Sequence, residues 1–272
     1  MSKHILLVHD LAGYGKVSLS AMMPVLSHMG HHLYTLPTAL VSNTLDYGKF
    51  YIQETTEYMR QSLKVWAKLG FSFDVVSTGM ILSAEQAALV SDFCEQSAKK
   101  GALVFVDPIM GDEGKLYNGV GEETVAHMRK MVAVADCIVP NYTEAAYLAD
   151  MPYHEDMTEE EARALTIRLH EMGAKSVVVT SAKVDGENCV VGYDGTEGEF
   201  FRIPFDLIPV RFVGTGDIFA AVMLGRLVDG VPLQESTHRA MDAVRTMIDR
   251  NRDKEDKYLG IPIETCLEVL DE

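Results

Sequence analysis

Val213-Gly214-Thr215-Gly216-Asp217 reads as a glycine-rich turn opening a helix, with a carboxylate in the first helical turn. The N–H groups left over at a helix start, together with the positive end of its dipole, attract anions. Glycines without Cβ let a phosphate approach the backbone closely. A carboxylate beside that phosphate is placed to take a proton from an attacking group, and the helix dipole should keep Asp217 ionised near neutral pH. The same residues also suit a plain turn with an Asp near the N-cap.

Further segments add oxygen-rich chemistry. Asp107-Pro108-Ile109-Met110-Gly111-Asp112 directly follows an apolar run, and in parallel α/β sheets ligands bind beyond the carboxyl ends of strands. Its Asp and Gly residues could equally serve turn geometry. Pro140-Asn141-Tyr142-Thr143-Glu144 follows the next run and opens a helix. Asn141 and Glu144 have capping-box spacing, yet they also place an amide and a carboxylate at one helix start, a set that suits Mg²⁺ with its retained waters. Thr180-Ser181 ends the following run with two hydroxyls that could bond phosphate oxygens. The loop from His9-Asp10 to Lys16 joins the first strand to the first helix, with Asp10 just past the strand and His9 more plausible as a packed residue. It is not a P-loop, because Val17 follows Lys16, nor a dinucleotide fingerprint, because Ser18 stands where the third glycine belongs.

These residues need a scaffold, and the apolar runs supply one. Residues 5–8, 33–36, 75–78, 103–106, 138–139 and 177–180 read as buried strands. Residues 17–29, 55–69, 84–99, 122–134 and 158–172 between them have helical spacing. Thr158 with Glu161 forms a capping box, and Gly173 a stop. The alternation predicts a mostly parallel sheet with helices on both faces. Beyond residue 187 the pattern changes to an antiparallel hairpin (188–193 and 199–203), then helices over 216–228 and 233–251 and a short one after Pro262. Met22, Met23, Met29, Met80, Met110, Met128 and Met131 read as core or pocket lining. No repeat or linker divides residues 1–272, which are expected to form a single domain.

Composition narrows the partners. A net charge of −16 argues against nucleic acid and anionic membranes. Four cysteines without metal-binding spacing read as reduced thiols, and no apolar run approaches a membrane span, so a cytoplasmic protein is expected.

Taken in order, the segments 9–15, 41–48, 107–112, 140–144 and 214–217 resemble the ribokinase-like superfamily of small-molecule kinases, most closely its pyridoxal/pyridoxamine (vitamin B6) kinase branch. Hydroxymethylpyrimidine (phosphate) kinases of thiamine synthesis adjoin that branch. The resemblance implies a three-layer α/β/α fold, ATP with Mg²⁺, and a homodimer; it leaves monovalent cation dependence open. It assigns Asp217 as base toward the substrate hydroxyl and the Gly214, Thr215 and Gly216 amides as anion hole. Asp112 and Glu144 support the metal, with Asn141 beside them, and Thr180 and Ser181 face the ATP phosphates. Asp10, Ser42, Asn43 and Met80 fall at acceptor-contact positions. His9-Asp10 stands where many B6 kinases have Ser-His, and Met80 where many have Tyr. A Thr expected soon after Asn43 corresponds to Thr44 or is replaced by Leu45. The expected acceptor is the hydroxymethyl group of a B6 vitamer, with hydroxymethylpyrimidine as alternative. A sugar kinase is less favoured, because segment 35–57 looks too short for an inserted β lid, and a non-catalytic binder would not need Asp217.

Overall fold

In the computed structural model, which describes residues 2–117 and 120–271, the apolar runs form strands and the helical patterns form helices. The first part of the chain gives β1 (His4–Val8), β2 (Leu11–Ala12), α1 (Leu19–His28), β3 (His32–Thr35), β4 (Ala39–Val41), β5 (Ile52–Glu54) and α2 (Thr56–Leu69). Then come β6 (Val75–Thr78), α3 (Ala84–Ala98), β7 (Leu103–Val106), β8 (Gly111–Asp112), β9 (Lys115–Leu116), α4 (Glu122–Val132), β10 (Cys137–Ile138), α5 (Tyr142–Ala149) and α6 (Glu159–Glu171). β11 (Ser176–Val184), β12 (Glu187–Asp194), β13 (Glu199–Pro204), α7 (Thr215–Val228) and α8 (Leu233–Asn251) follow, and the short helix expected after Pro262 is a pair of 3-10 turns, Ile263–Thr265 and Leu267–Asp271. The class is α/β with a large, mostly parallel sheet, as the alternation predicted. The residues group into two compact units, Met1–Val75 with Ile208–Glu272, and Val76–Leu207.

In the first unit, Ile5 to Val8 of β1 are fully buried, and β1 pairs in parallel with β3. Each buried aliphatic side chain contributes about 1.5–3 kcal/mol. β3 departs from expectation: it is an edge strand whose residues alternate between exposed and half-buried, because only β1 covers it on one side. Helix α7 is buried without interruption from Ile218 to Gly225, the signature of a helix packed on every side. Helices α1 and α8 both pack against it. Gly225 permits the approach of α1, since a Cβ there would meet Met29 Cε at 2.4 Å. Met29 is therefore a packing residue, whereas Met23 lies exposed on α1 and not in the core as expected. A small sheet of β2, β4 and β5 occupies the early segment that had seemed too short for a β insertion. Strands this short carry too few residues to show alternation.

In the second unit, β7, β10 and β11 run parallel, with β12 and β13 added antiparallel. Val104, Phe105, Val106 and Val177 to Val179 form its buried spine. Helix α6 begins at the Thr158–Glu161 capping box and stops before Gly173. The loop after β7 folds into the tight hairpin β8–β9, which the sequence did not announce.

Candidate functional site

Asp217 stands in the first turn of α7. Gly214 caps that helix in the left-handed region (φ 80°) with no side-chain cap, and Gly216 is exposed, so the helix start keeps N–H groups for an outside acceptor. A Cβ on Gly214 would fall 2.0 Å from the Lys16 carbonyl oxygen. Only glycine both adopts this conformation and admits the 16–17 backbone. Asp217 retains some open surface, yet protein atoms crowd its carboxyl. Burial raises its pKa to about 7; an N–H donated by Ser18 lowers it and the nearby Asp10 raises it. The helix dipole was expected to keep this group ionised; desolvation wins instead, leaving it half-ionised at neutral pH.

Asp10 is buried just past β1, and its pKa is likewise raised by burial, with the Ser18 hydroxyl acting in the opposite direction. Two carboxylates and one serine thus form a single centre in the first unit. His9 is fully buried and its pKa is lowered to about 3, so it is a neutral packed residue, in line with expectation. Ser42 and Asn43 shape their own loop: the Ser42 hydroxyl donates to Asn43 Oδ1 (2.7 Å) and accepts from Tyr51 N (2.9 Å). Asn43 Nδ2 donates to the Thr44 and Lys49 carbonyls. Thr44 is buried; its N–H reaches Tyr14 O (3.0 Å) and its hydroxyl Tyr258 O (2.7 Å). It therefore ties loops together, while Leu45 is exposed.

The second unit carries a different carboxylate centre. Asn141 and Glu144 form the complete capping box of α5. Glu144 is buried, and its Oε2 accepts from Asn141 N (2.9 Å). Its Oε1 accepts from Met110 N (2.9 Å) and, more weakly, from Gly111 N (3.5 Å). Asn141 Nδ2 donates to Gly111 O (2.7 Å). Capping and loop-holding are one function here, since the same side chains tie α5 to the start of the β8–β9 hairpin. Burial raises the Glu144 pKa, the three N–H donors oppose that, and the neighbouring Asp112 adds to it. Asp112 accepts from Glu113 N (2.9 Å) and keeps part of its surface open. Among the described residues no group of three His, Cys, Asp or Glu could hold a metal. Two carboxylates alone do not make a Zn²⁺ site, but they fit Mg²⁺, which keeps much of its water shell.

Thr180 and Ser181 do not end a strand, contrary to expectation. They lie inside β11, where the register with β12 shifts between Val179 and Ala182. Ser181 adopts φ 55°, rare for a serine, and Thr180 N donates to Pro140 O (3.0 Å). The bulge frees this stretch from the regular ladder and brings it beside the start of α5. Met80 is half-buried in the loop after β6.

Two residues escaped the sequence reading. Ser18 joins Asp10 and Asp217 through a positive φ that nothing in its type announces. Thr143 is buried and its hydroxyl accepts from Gly114 N (2.8 Å), fastening the hairpin tip to α5.

The profile of a family described as phosphomethylpyrimidine kinase matches residues 19–260. The chain is 33% identical to the pyridoxal kinase of Arabidopsis thaliana over 171 residues, 60% of this chain and 53% of that protein. The match thus spans about half the length of that relative. With the pyridoxal kinase of Ovis aries it shares 30% identity over 237 residues, 79% of this chain and 74% of the relative. A crystal structure from Bacteroides thetaiotaomicron, of a protein provisionally named a phosphomethylpyrimidine kinase and crystallised with pyridoxal, superposes with a TM-score of 0.95 at 35% identity, covering 100% of this chain and 96% of that one.

Proposed function

The chain belongs to the phosphomethylpyrimidine kinase family within the ribokinase-like superfamily, and from that premise we propose that it phosphorylates the hydroxymethyl group of a B6 vitamer with ATP. The observation that carries this reading is Asp217, a carboxyl with pKa about 7 at an uncapped, glycine-opened helix start. A general base works best when its pKa lies near the working pH. Asp217 takes the proton of the hydroxymethyl O–H as that oxygen bonds to the γ-phosphorus and ADP departs. The amides of Gly214, Thr215 and Gly216 stabilise negative charge on the transferred group.

In the second unit, Asn141, Thr180 and Ser181 are the residues for the nucleotide. Asp112 and Glu144 would hold Mg²⁺, Glu144 through water, since both its oxygens already accept N–H groups. Mg²⁺, when bound, neutralises charge on the phosphates. Asp10, Ser42, Asn43 and Met80 select the acceptor. Two pyridoxal kinases among the relatives and the pyridoxal in the Bacteroides structure support a pyridine acceptor over a pyrimidine.

A homodimer is part of this reading. Helix α2 buries only Thr56 and Met59, leaving Tyr58, Val65 and Leu69 exposed, with Phe71 just beyond. An apolar face of this kind supports pairing with a second copy, and sedimentation equilibrium measures it directly. The activity is tested by supplying Mg-ATP with pyridoxal, pyridoxamine, pyridoxine or hydroxymethylpyrimidine and following ADP. Turnover with at least one pyridine vitamer is expected. Turnover with hydroxymethylpyrimidine alone would replace the acceptor while keeping the reaction.

A further inference from the structure

Residue 18 carries a backbone conformation that belongs to glycine. Ser18 sits at φ 52° and ψ −128°, at the N-cap of α1, and makes no side-chain cap bond there. A non-glycine residue held in a sparsely populated region costs on the order of 1–3 kcal/mol and persists where surrounding structure compels it. The surroundings are specific. A bridge pairs Ser18 with Leu11, and Leu19 N donates to Asp10 O (3.2 Å), fixing residue 18 beside the end of β1. Ser18 O accepts from Ala21 and Met22 (both 2.9 Å), so its peptide is locked to α1. The preceding residues 16–17 press on Gly214 at the start of α7. The Ser18 hydroxyl is enclosed and faces the Asp10 carboxyl without reaching a well-aligned hydrogen bond. Its N–H faces Asp217 and lowers the pKa of that carboxyl.

The geometry points to Ser18 as a positioning residue that holds Asp10 and Asp217 in one centre, its N–H orienting Asp217 and its hydroxyl serving Asp10. This rests on the kinase reading, in which Asp217 is the base. The strained conformation is what directs both groups at once: the turn points the N–H toward one carboxylate and leaves the enclosed, unpartnered Oγ beside the other. Glycine would satisfy the backbone without strain and would keep the N–H, but it would leave Asp10 without its hydroxyl. The titratable neighbours along this loop are His9, neutral through burial, and Lys16, whose ammonium is paired with Glu264. Neither replaces the serine.

The test is Ser18→Gly, with Ser18→Ala as a second variant that loses the hydroxyl while keeping the conformational cost. Three quantities are read: melting temperature, the pH profile of kcat/KM for a B6 vitamer, and the titration of the Asp10 and Asp217 carboxyl carbons by NMR in the substrate-free protein. Ser18→Gly is expected to melt no lower than the parent chain, yet to lose about tenfold in kcat/KM at neutral pH. The ionised pair loses a donor, so its titration and the acid limb of the pH profile move upward by roughly half a unit. Ser18→Ala shows the same titration change with a lower melting temperature than Ser18→Gly. A Ser18→Gly protein with turnover within twofold of the parent and unmoved carboxyl titrations would overturn the assignment. If the parent chain phosphorylates no B6 vitamer, the kinase reading fails by itself, and the substrate-free titrations still decide the role of Ser18.

Discussion

The two units hold their carboxylates in opposite states of satisfaction. Glu144 is enclosed and accepts three backbone N–H groups, two of them at 2.9 Å. Asp217 accepts one, from Ser18, and shares its surroundings with a second carboxylate, Asp10. Glu144, with both oxygens engaged by N–H groups, serves as a brace, even though burial raises its pKa to about 8. Asp217, faced by a single donor and with some surface open, keeps acceptor positions for a substrate hydroxyl, which is what a base requires. The contrast separates scaffold from reactivity more sharply than residue type does, since both are acids in the first turn of a helix.

The largest effect is expected at Asp217. Asp217→Asn keeps the shape and removes the basicity, so turnover should fall by roughly 10²–10⁴ with ATP binding retained. The stability effect has the opposite sign. Because the folded pKa is raised to about 7, the contribution of this group to stability is present at low pH and is lost as pH rises through about 7. Asp217→Asn should therefore gain melting temperature relative to the parent at pH 8 and little at pH 4. Near-parental turnover, or a gain independent of pH, would break the comparison on its reactive side.

Glu144→Gln tests the other side. Glutamine offers one acceptor oxygen where Glu144 uses two, and its NH₂ would face an N–H of either Met110 or Asn141. A loss of about 1–3 kcal/mol in stability is expected, together with a higher Mg²⁺ concentration for half-maximal turnover. An unchanged denaturation midpoint would show that the bracing role has been overstated. Asp10→Ala should raise KM for the acceptor about tenfold and leave KM for ATP nearly unchanged; equal changes in both would move Asp10 out of the acceptor contacts. Ser181→Gly is the mildest change. Relief of the positive φ should stabilise by roughly 0.4–1 kcal/mol, while loss of the hydroxyl raises KM for ATP a few-fold. A drop in stability would indicate that the hydroxyl, and not the nucleotide, fixes the bulge.

What the sequence revealed follows the same divide. The start of α7 is legible because Gly-Thr-Gly-Asp before an apolar run marks a helix start, whether that start binds an anion or only makes a turn. The α5 capping box is legible from the spacing of Asn141 and Glu144, and the structure adds that the same side chains hold the loop at Met110 and Gly111. Residues whose contribution depends on conformation gave no signal. Ser18 acts through a positive φ, Ser181 through a bulge inside a strand, and Thr143 through the tip of a six-residue hairpin. Periodicity cannot report any of these, since strands of two residues have no period and a bulge breaks the one it interrupts. The burial of Asp217 gives no signal for a related reason: the dipole is readable from a helix start, whereas burial is a property of the assembled core.

The first unit is built from both ends of the chain, the second from one uninterrupted stretch. During synthesis, Val76–Leu207 is complete while Ile208 and all that follows are still to be made. The first unit, however, must keep β1, α1 and its early loops waiting until α7 arrives to cover them. Apolar β1 and the buried face of α1 are thus exposed on the ribosome for the whole time that the second unit is being translated, the interval in which a nascent chain is most open to chaperones and to aggregation. The centre of Asp10, Ser18 and Asp217 therefore cannot form until well after its first two residues are made, and a chain cut short before residue 217 never acquires its base.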